Sequence, residues 1–271
     1  MMARRFEFLS MLVVVTAASA ASAAPREPTG KWNVAFDDAQ CVASRSYGSA
    51  EEPLHLVLKA PPVGGVMQIA VLRNGGYAEA TQVGATIGID EQPQLKTNML
   101  MFSPKKSKTR VYTLNLPSAD FARIRGAKSL SIRSSGLSET FSVSQIEALL
   151  KVMDQCVTDL RRVWNVSSDD GETSALAKRA TGNLAKLFSD EDYPGVAIIE
   201  GASGVVRFVI LIDESGKVAD CTVVETSGVA VLDTQSCAVL RARGKFDPGA
   251  GADGKPAKDV QVSKISWRLA S

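Results

Sequence analysis

A chain of 271 residues, 45% hydrophobic and 22% charged, has the composition of a globular protein and enough length for two cores of ordinary size. Its 31 basic and 29 acidic side chains leave a formal charge of +2, which excludes a general attraction to nucleic-acid phosphates. The four cysteines include no Cys-x-x-Cys, which argues against a thiol oxidoreductase or a thiolate zinc knuckle.

Residues 1–23 read as a cleaved export signal. Arg4 and Arg5 form a positive start, residues 8–18 are mostly apolar, and Ala18-Ser19-Ala20 and Ala21-Ser22-Ala23 offer small residues for cleavage. The apolar run falls short of the roughly 20 residues that span a bilayer. The expected location is the periplasm, with an uncleaved inner-membrane anchor as the lesser alternative. In that oxidising compartment Cys41, Cys156, Cys221 and Cys237 are expected to be paired. Three full pairings are open; Cys41 with Cys156 and Cys221 with Cys237 keeps one bridge within each half of the chain.

Residues 24–164 are expected to form a β-rich unit with a closing helix. Leu54, Leu56 and Leu58, then Met67, Ile69 and Val71, then Tyr112, Leu114 and Leu116 alternate with period two, between breakers such as Pro61-Pro62 and Asn74-Gly75-Gly76. A sandwich and an open barrel both fit. Residues 118–125 read as one or two helical turns. Ser144 and Glu147 form a capping-box signature for a helix whose Ile146, Leu149, Leu150, Met153, Val157 and Leu160 share a face, with Cys156 at its border.

Residues 165–189 read as a linker and helical lead-in. The stretch 165–174 is polar around Asp169-Asp170-Gly171, and 175–188 is expected to be helical up to Tyr193-Pro194. From 190 to 271 the pattern is β-β-α-β, which makes the whole chain α+β. The strands fall at 205–212 and 217–224 around an Asp213-Glu214-Ser215-Gly216 turn, the helix at 232–241 and the last strand at 260–269. In that last strand Val260 and Val262 have one parity, while Ile265, Trp267 and Leu269 have the other. A bulge near Ser263 or Lys264 would place all five on one face; without it, both faces are half buried.

The landmarks of this last unit occur in a definite order: Tyr193-Pro194, Ala197, Gly201, Gly204, Val206, then Asp213, Gly216 and Val218, then Ser227-Gly228, Leu232-Asp233, Phe246 and Pro248. Together they resemble the C-terminal domain of the TonB energy-transducer family, over about 190–270. Cys221 and Cys237 match a disulfide-bearing variant of that pattern, and Gly249 stands where an alanine is common. The resemblance implies a periplasmic binding module that takes up an extended segment of an outer-membrane receptor or periplasmic protein by β-augmentation. The edge strand it implies carries Val260, Val262, Lys264, Ile265, Trp267 and Leu269. A transducer's long proline-rich spacer is missing, so a structural or self-associating envelope protein without transport coupling is the alternative. The N-terminal half resembles a domain that precedes such modules in some exported alphaproteobacterial proteins.

No enzyme, cofactor or metal is expected. His55, the single histidine, sits between leucines of a strand and supports no Ser-His-Asp set or metal cluster. Ser103-x-x-Lys106 lacks an accompanying Lys-Thr-Gly. The acidic groups Asp169, Asp170, Glu172 and Asp190, Glu191, Asp192 lack calcium-loop spacing. Lys105, Lys106, Lys108 and Arg110 read as a solvated loop rather than a nucleic-acid site.

Overall fold

The computed structural model describes residues 24–104, 106–168, 171–172 and 175–269; the expected export signal, residues 1–23, lies outside them. The period-two runs form nine antiparallel strands: β1 (Asn33–Phe36), β2 (Cys41–Ser46), β3 (Leu54–Ala60), β4 (Val66–Asn74), β5 (Thr81–Ile89), β6 (Leu95–Phe102), β7 (Thr109–Pro117), β8 (Ser129–Ser134) and β9 (Leu137–Ser142). They make one sheet in the order β1-β2-β3-β4-β7-β6-β5-β8-β9, curled into a half-barrel. Of the two architectures open to the sequence, the open barrel is the nearer. Its seam is bridged by the segment before β1. There Arg26 N–H donates to Thr140 O at 2.7 Å, Ser142 N–H donates to Arg26 O at 2.9 Å, and Thr29 N–H donates to Ser46 O at 2.9 Å.

Between β7 and β8 lie a short helix α1 (Ser118–Phe121) and a 3-10 turn at Ala122–Ile124, matching the expected helical turns. The closing helix α2 (Ile146–Val163) buries Ile146, Leu149, Leu150, Met153, Cys156 and Leu160 in the sheet's core, and Cys41–Cys156 ties it to β2. The expected capping box is not formed. Gln145 takes the N-cap position at φ +64° without a side-chain cap. Ser144 serves elsewhere: its carbonyl accepts from Arg45 Nη1 at 2.7 Å and from Trp32 Nε1 at 3.2 Å.

The stretch expected to be a helical lead-in is mostly extended. It holds β10 (Leu176–Lys178) and a 3-10 turn at Leu184–Leu187. Two contacts override its helical periodicity: Ala180 N–H donates to Asp259 Oδ2 at 2.7 Å, and Gly182 lies so close to Phe246 that a Cβ there would meet its ring at 2.4 Å. The part of the polar segment that is described folds onto the C-terminal unit: Asn165 Nδ2 donates to Lys258 O at 2.9 Å, and Gly171 is buried against Val260 and Val262.

The remaining elements are α3 (Gly195–Ile199), β11 (Gly204–Ile212), β12 (Val218–Glu225), α4 (Ala230–Arg243), β13 (Gly249–Gly251), β14 (Pro256–Ala257) and β15 (Asp259–Trp267). The sequence pattern did not single out β13 and β14, which join β10 in a small sheet ordered β10-β13-β14. The main C-terminal sheet runs β12-β11-β15, and Cys221–Cys237 fastens β12 to α4. At the β11–β12 turn Gly216 has φ +79°, and a Cβ there would stand 1.9 Å from Phe246 O, so both conformation and space require glycine.

Both faces of this sheet are covered. Val206, Phe208, Ile210 and Ile212 pack with Leu232, Leu240 and Trp267 on the α4 side. Val209, Leu211 and Val260, on the other face, belong to the same apolar cluster as Val63, Trp164 and Val166 of the N-terminal half.

Candidate functional site: the β15 edge

The β-branched Val260, Val262 and Ile265 suit β15 to a sheet covered on both faces. It pairs with β11 without interruption, from Gly204 opposite Trp267 to Ile212 opposite Asp259. The expected bulge is therefore absent from this pairing, and the two parities of apolar residues serve two cores. Val260 and Val262 face the N-terminal half, whereas Ile265 and Trp267 face the α4 side. The register shifts occur instead between β11 and β12, at Arg207/Phe208 and at Leu211/Ile212.

Trp267 closes the α4-side core. Its ring meets Phe188 at 5.6 Å and Tyr193 at 5.4 Å, both edge-on, and its Nε1 donates to Ser236 Oγ at 2.9 Å. Tyr193 in turn donates to Ala202 O at 2.6 Å. These contacts explain why Tyr193 accompanies Trp267 in the pattern.

The strand's first turn is clamped. The buried Asp259 carboxylate accepts from Arg179 Nε at 2.9 Å, Ala180 N at 2.7 Å and Val260 N at 2.7 Å. Arg179 Nη2 also donates to Val260 O at 2.5 Å, and Gln261 Nε2 donates to Ala180 O at 2.6 Å. Because Val260 points its backbone groups away from β11, the alternation of an antiparallel ladder also directs those of Val262, Lys264 and Ser266 outward. Among the described residues no backbone group pairs with these three.

The opposite edge, β12, is blunted. The carbonyl of Cys221 accepts from Arg241 Nη2 at 2.5 Å, and that of Val223 accepts from Asn115 Nδ2 at 2.7 Å. Of the residues expected on the binding edge, Val260 is thus already engaged and Trp267 buried. Ile265 is half-buried, and Leu269 lies beyond the strand. Lys264 is exposed, and Arg207, also exposed, sits directly opposite it, a like-charge pair that an incoming carboxylate would relieve.

Carboxylates brace the surrounding loops. Burial raises the Asp192 carboxyl, but hydrogen bonds from Arg243 and Ser189 outweigh it and hold the group below its usual range. Asp213 is treated likewise, burial being outweighed by bonds from Ser215 and Lys217 across the turn. Elsewhere, His55 is half-buried with Nδ1 at 3.1 Å from Ser46 Oγ. The Ser103 hydroxyl is held in a loop, accepting from Ala78 N at 3.1 Å and donating to Gly76 O at 3.3 Å.

Among the described residues no group of three or more His, Cys, Asp and Glu could hold a metal ion, and no helix is long and apolar enough to cross a membrane. No curated protein matches the chain. Residues 190–269 match the family described as Gram-negative bacterial TonB protein C-terminal. The sequence landmarks, the β-β-α-β core and this match agree that residues 190–269 form a domain of the TonB C-terminal type.

Proposed function

We propose that this domain acts in the periplasm by adding an extended segment of an outer-membrane receptor or another envelope protein to the β15 edge. The carrying observation is the contrast between edges: among the described residues no backbone group pairs with Val262, Lys264 or Ser266, while the carbonyls of Cys221 and Val223 on β12 are occupied. Main-chain pairing supplies the affinity, and the cations Lys264 and Arg207 favour a segment that carries a carboxylate. Coupling to energy-dependent transport is the narrower form of this reading. Photoreactive residues placed singly along 260–269 in living cells test it. Positions 262, 264 and 266 are expected to crosslink to an outer-membrane or periplasmic protein, and the buried 260 and 267 are not. Crosslinks formed only within the chain or between its copies would overturn peptide capture.

That outcome would favour a structural or self-associating role, a reading supported by the packing of Val209, Leu211 and Val260 into the N-terminal core. We further propose a division into units 24–164 and 190–271, joined through 165–189. Limited proteolysis of the oxidised chain is expected to cut first within 165–174 and to leave fragments that stay associated through the shared core. First cleavage inside 31–143 would place the boundary elsewhere.

A further inference from the structure

The β15 edge is closed at one end. There Arg179 Nη2 donates to Val260 O at 2.5 Å, and a Cβ on Gly171 would stand 3.7 Å from the same oxygen. Ala180 follows directly, its N–H on Asp259 Oδ2 at 2.7 Å and its carbonyl accepting from Gln261 Nε2 at 2.6 Å. At the other end Lys264 and Ser266 are exposed. A strand added along Ser266, Lys264 and Val262 therefore meets the 171–180 segment at Val260, where it has to end or turn away.

Arg179 does more than block. Its Nε is used on the Asp259 carboxylate at 2.9 and 3.0 Å and its Nη2 on Val260 O, but Nη1 has no partner among the described residues, and the side chain is 43% exposed. Asp259 is fully buried and also accepts from Ala180 N and Val260 N. The guanidinium is thus fixed at the end of the edge with donors to spare, and a guanidinium is the side chain best suited to a carboxylate. Direction then decides what reaches it. An added strand antiparallel to β15 brings its C-terminal end to Val260, and a parallel one brings its N-terminal end. Beside a fixed cation a terminal carboxylate is attracted and a terminal ammonium repelled. Strand positions opposite Val262 and Val260 are about 7 Å apart. A chain whose last residue stands opposite Val262 or Gln261 therefore sets its carboxylate beside Arg179, and it needs no room beyond that point.

We propose that the β15 edge takes the free C-terminal tail of an envelope protein, running antiparallel, with backbone pairs to Ser266, Lys264 and Val262 and with the terminal carboxylate held by Arg179. This rests on β15 acting as a capture edge. Arg179 is then a specificity-determining residue that sets the register of the bound tail, and the exposed Lys264 beside Arg207 adds attraction for the incoming negative end.

The test selects random decapeptides on the full oxidised chain from two displayed libraries, one ending in a free C-terminus and one fused at both ends. Synthetic copies of the selected peptides, as free acids and as C-terminal amides, are then compared by titration and by backbone amide exchange. Free-terminus peptides are expected to slow exchange at 262, 264 and 266 at least tenfold, and amidation should weaken their binding at least tenfold. In Arg179→Gln the acid and amide forms should differ by less than about twofold, because the acid falls to the level of the amide. That ratio compares two ligands on one protein, so a general loosening of β15 does not imitate it. Protection of these amides equally by acid and amide forms, or by peptides fused at both ends, would overturn the proposal and leave the capture edge standing. Loss of both forms alike in Arg179→Gln, or a difference between them kept there, would also overturn it. No protection at 262–266 from either library would overturn the capture edge and the proposal together.

Discussion

Replacing both Cys41 and Cys156 with serine is expected to lower the midpoint of thermal unfolding by about 10–20 °C. The bridge spans a sequence separation of 115 residues. A loop of that size is worth about 4.7 kcal/mol in the chain-entropy description, and a chain of this length loses about 2–4 °C per kcal/mol. The bond also holds α2 in the concavity of the half-barrel, so its loss loosens the packing of Leu149, Leu150 and Met153. Differential scanning calorimetry of the double variant measures the effect. A fall of less than about 3 °C would mean that packing alone fixes α2. Opening Cys221–Cys237, whose separation is 16 residues, should have a smaller effect, about 3 kcal/mol.

Trp267→Ala should cost about 3–5 kcal/mol, the range for truncating a large buried aromatic side chain. It removes the edge contacts with Phe188 and Tyr193 and the donor to Ser236 Oγ, and it detaches the end of β15 from the α4-side core. Trp267→Phe keeps a ring between Phe188 and Tyr193 and should lose less than half as much. Urea unfolding of the two variants separates these terms. Equal losses would show that the hydrogen bond to Ser236, and not the ring packing, dominates at this position.

Much of the fold was legible because local signals and the final core agree. The alternating leucines of β3 and the apolar stripe of α2 carry their own periodicity, and the cysteine pairing that keeps a bridge in each half is the one formed. The TonB-type domain was legible from the order of its turns and core residues. Where the reading failed, distant contacts decided. The periodicity of 175–188 suits a helix, but the Asp259 carboxylate and the Phe246 ring hold that stretch extended. Ser144 has capping chemistry, but Arg45 and Trp32 claim it. In β15 the split parity invited a bulge because one apolar face was assumed. A second face packs on the N-terminal half, and no local pattern announces a partner so far away in sequence. For the same reason the clamp on Val260 by Arg179 and the blunting of β12 by Asn115 could not be read from the residues alone.

The shared core sets an order of events during biogenesis. Val63, Trp164 and Val166 of the N-terminal half are covered by Val209, Leu211 and Val260, which lie much later in the sequence. The half-barrel therefore waits, with apolar surface uncovered, until the final strand is available. Contacts that close over so long a stretch of chain form slowly. The first half made without the second would carry that uncovered surface permanently, the condition under which folding chains meet chaperones or aggregate.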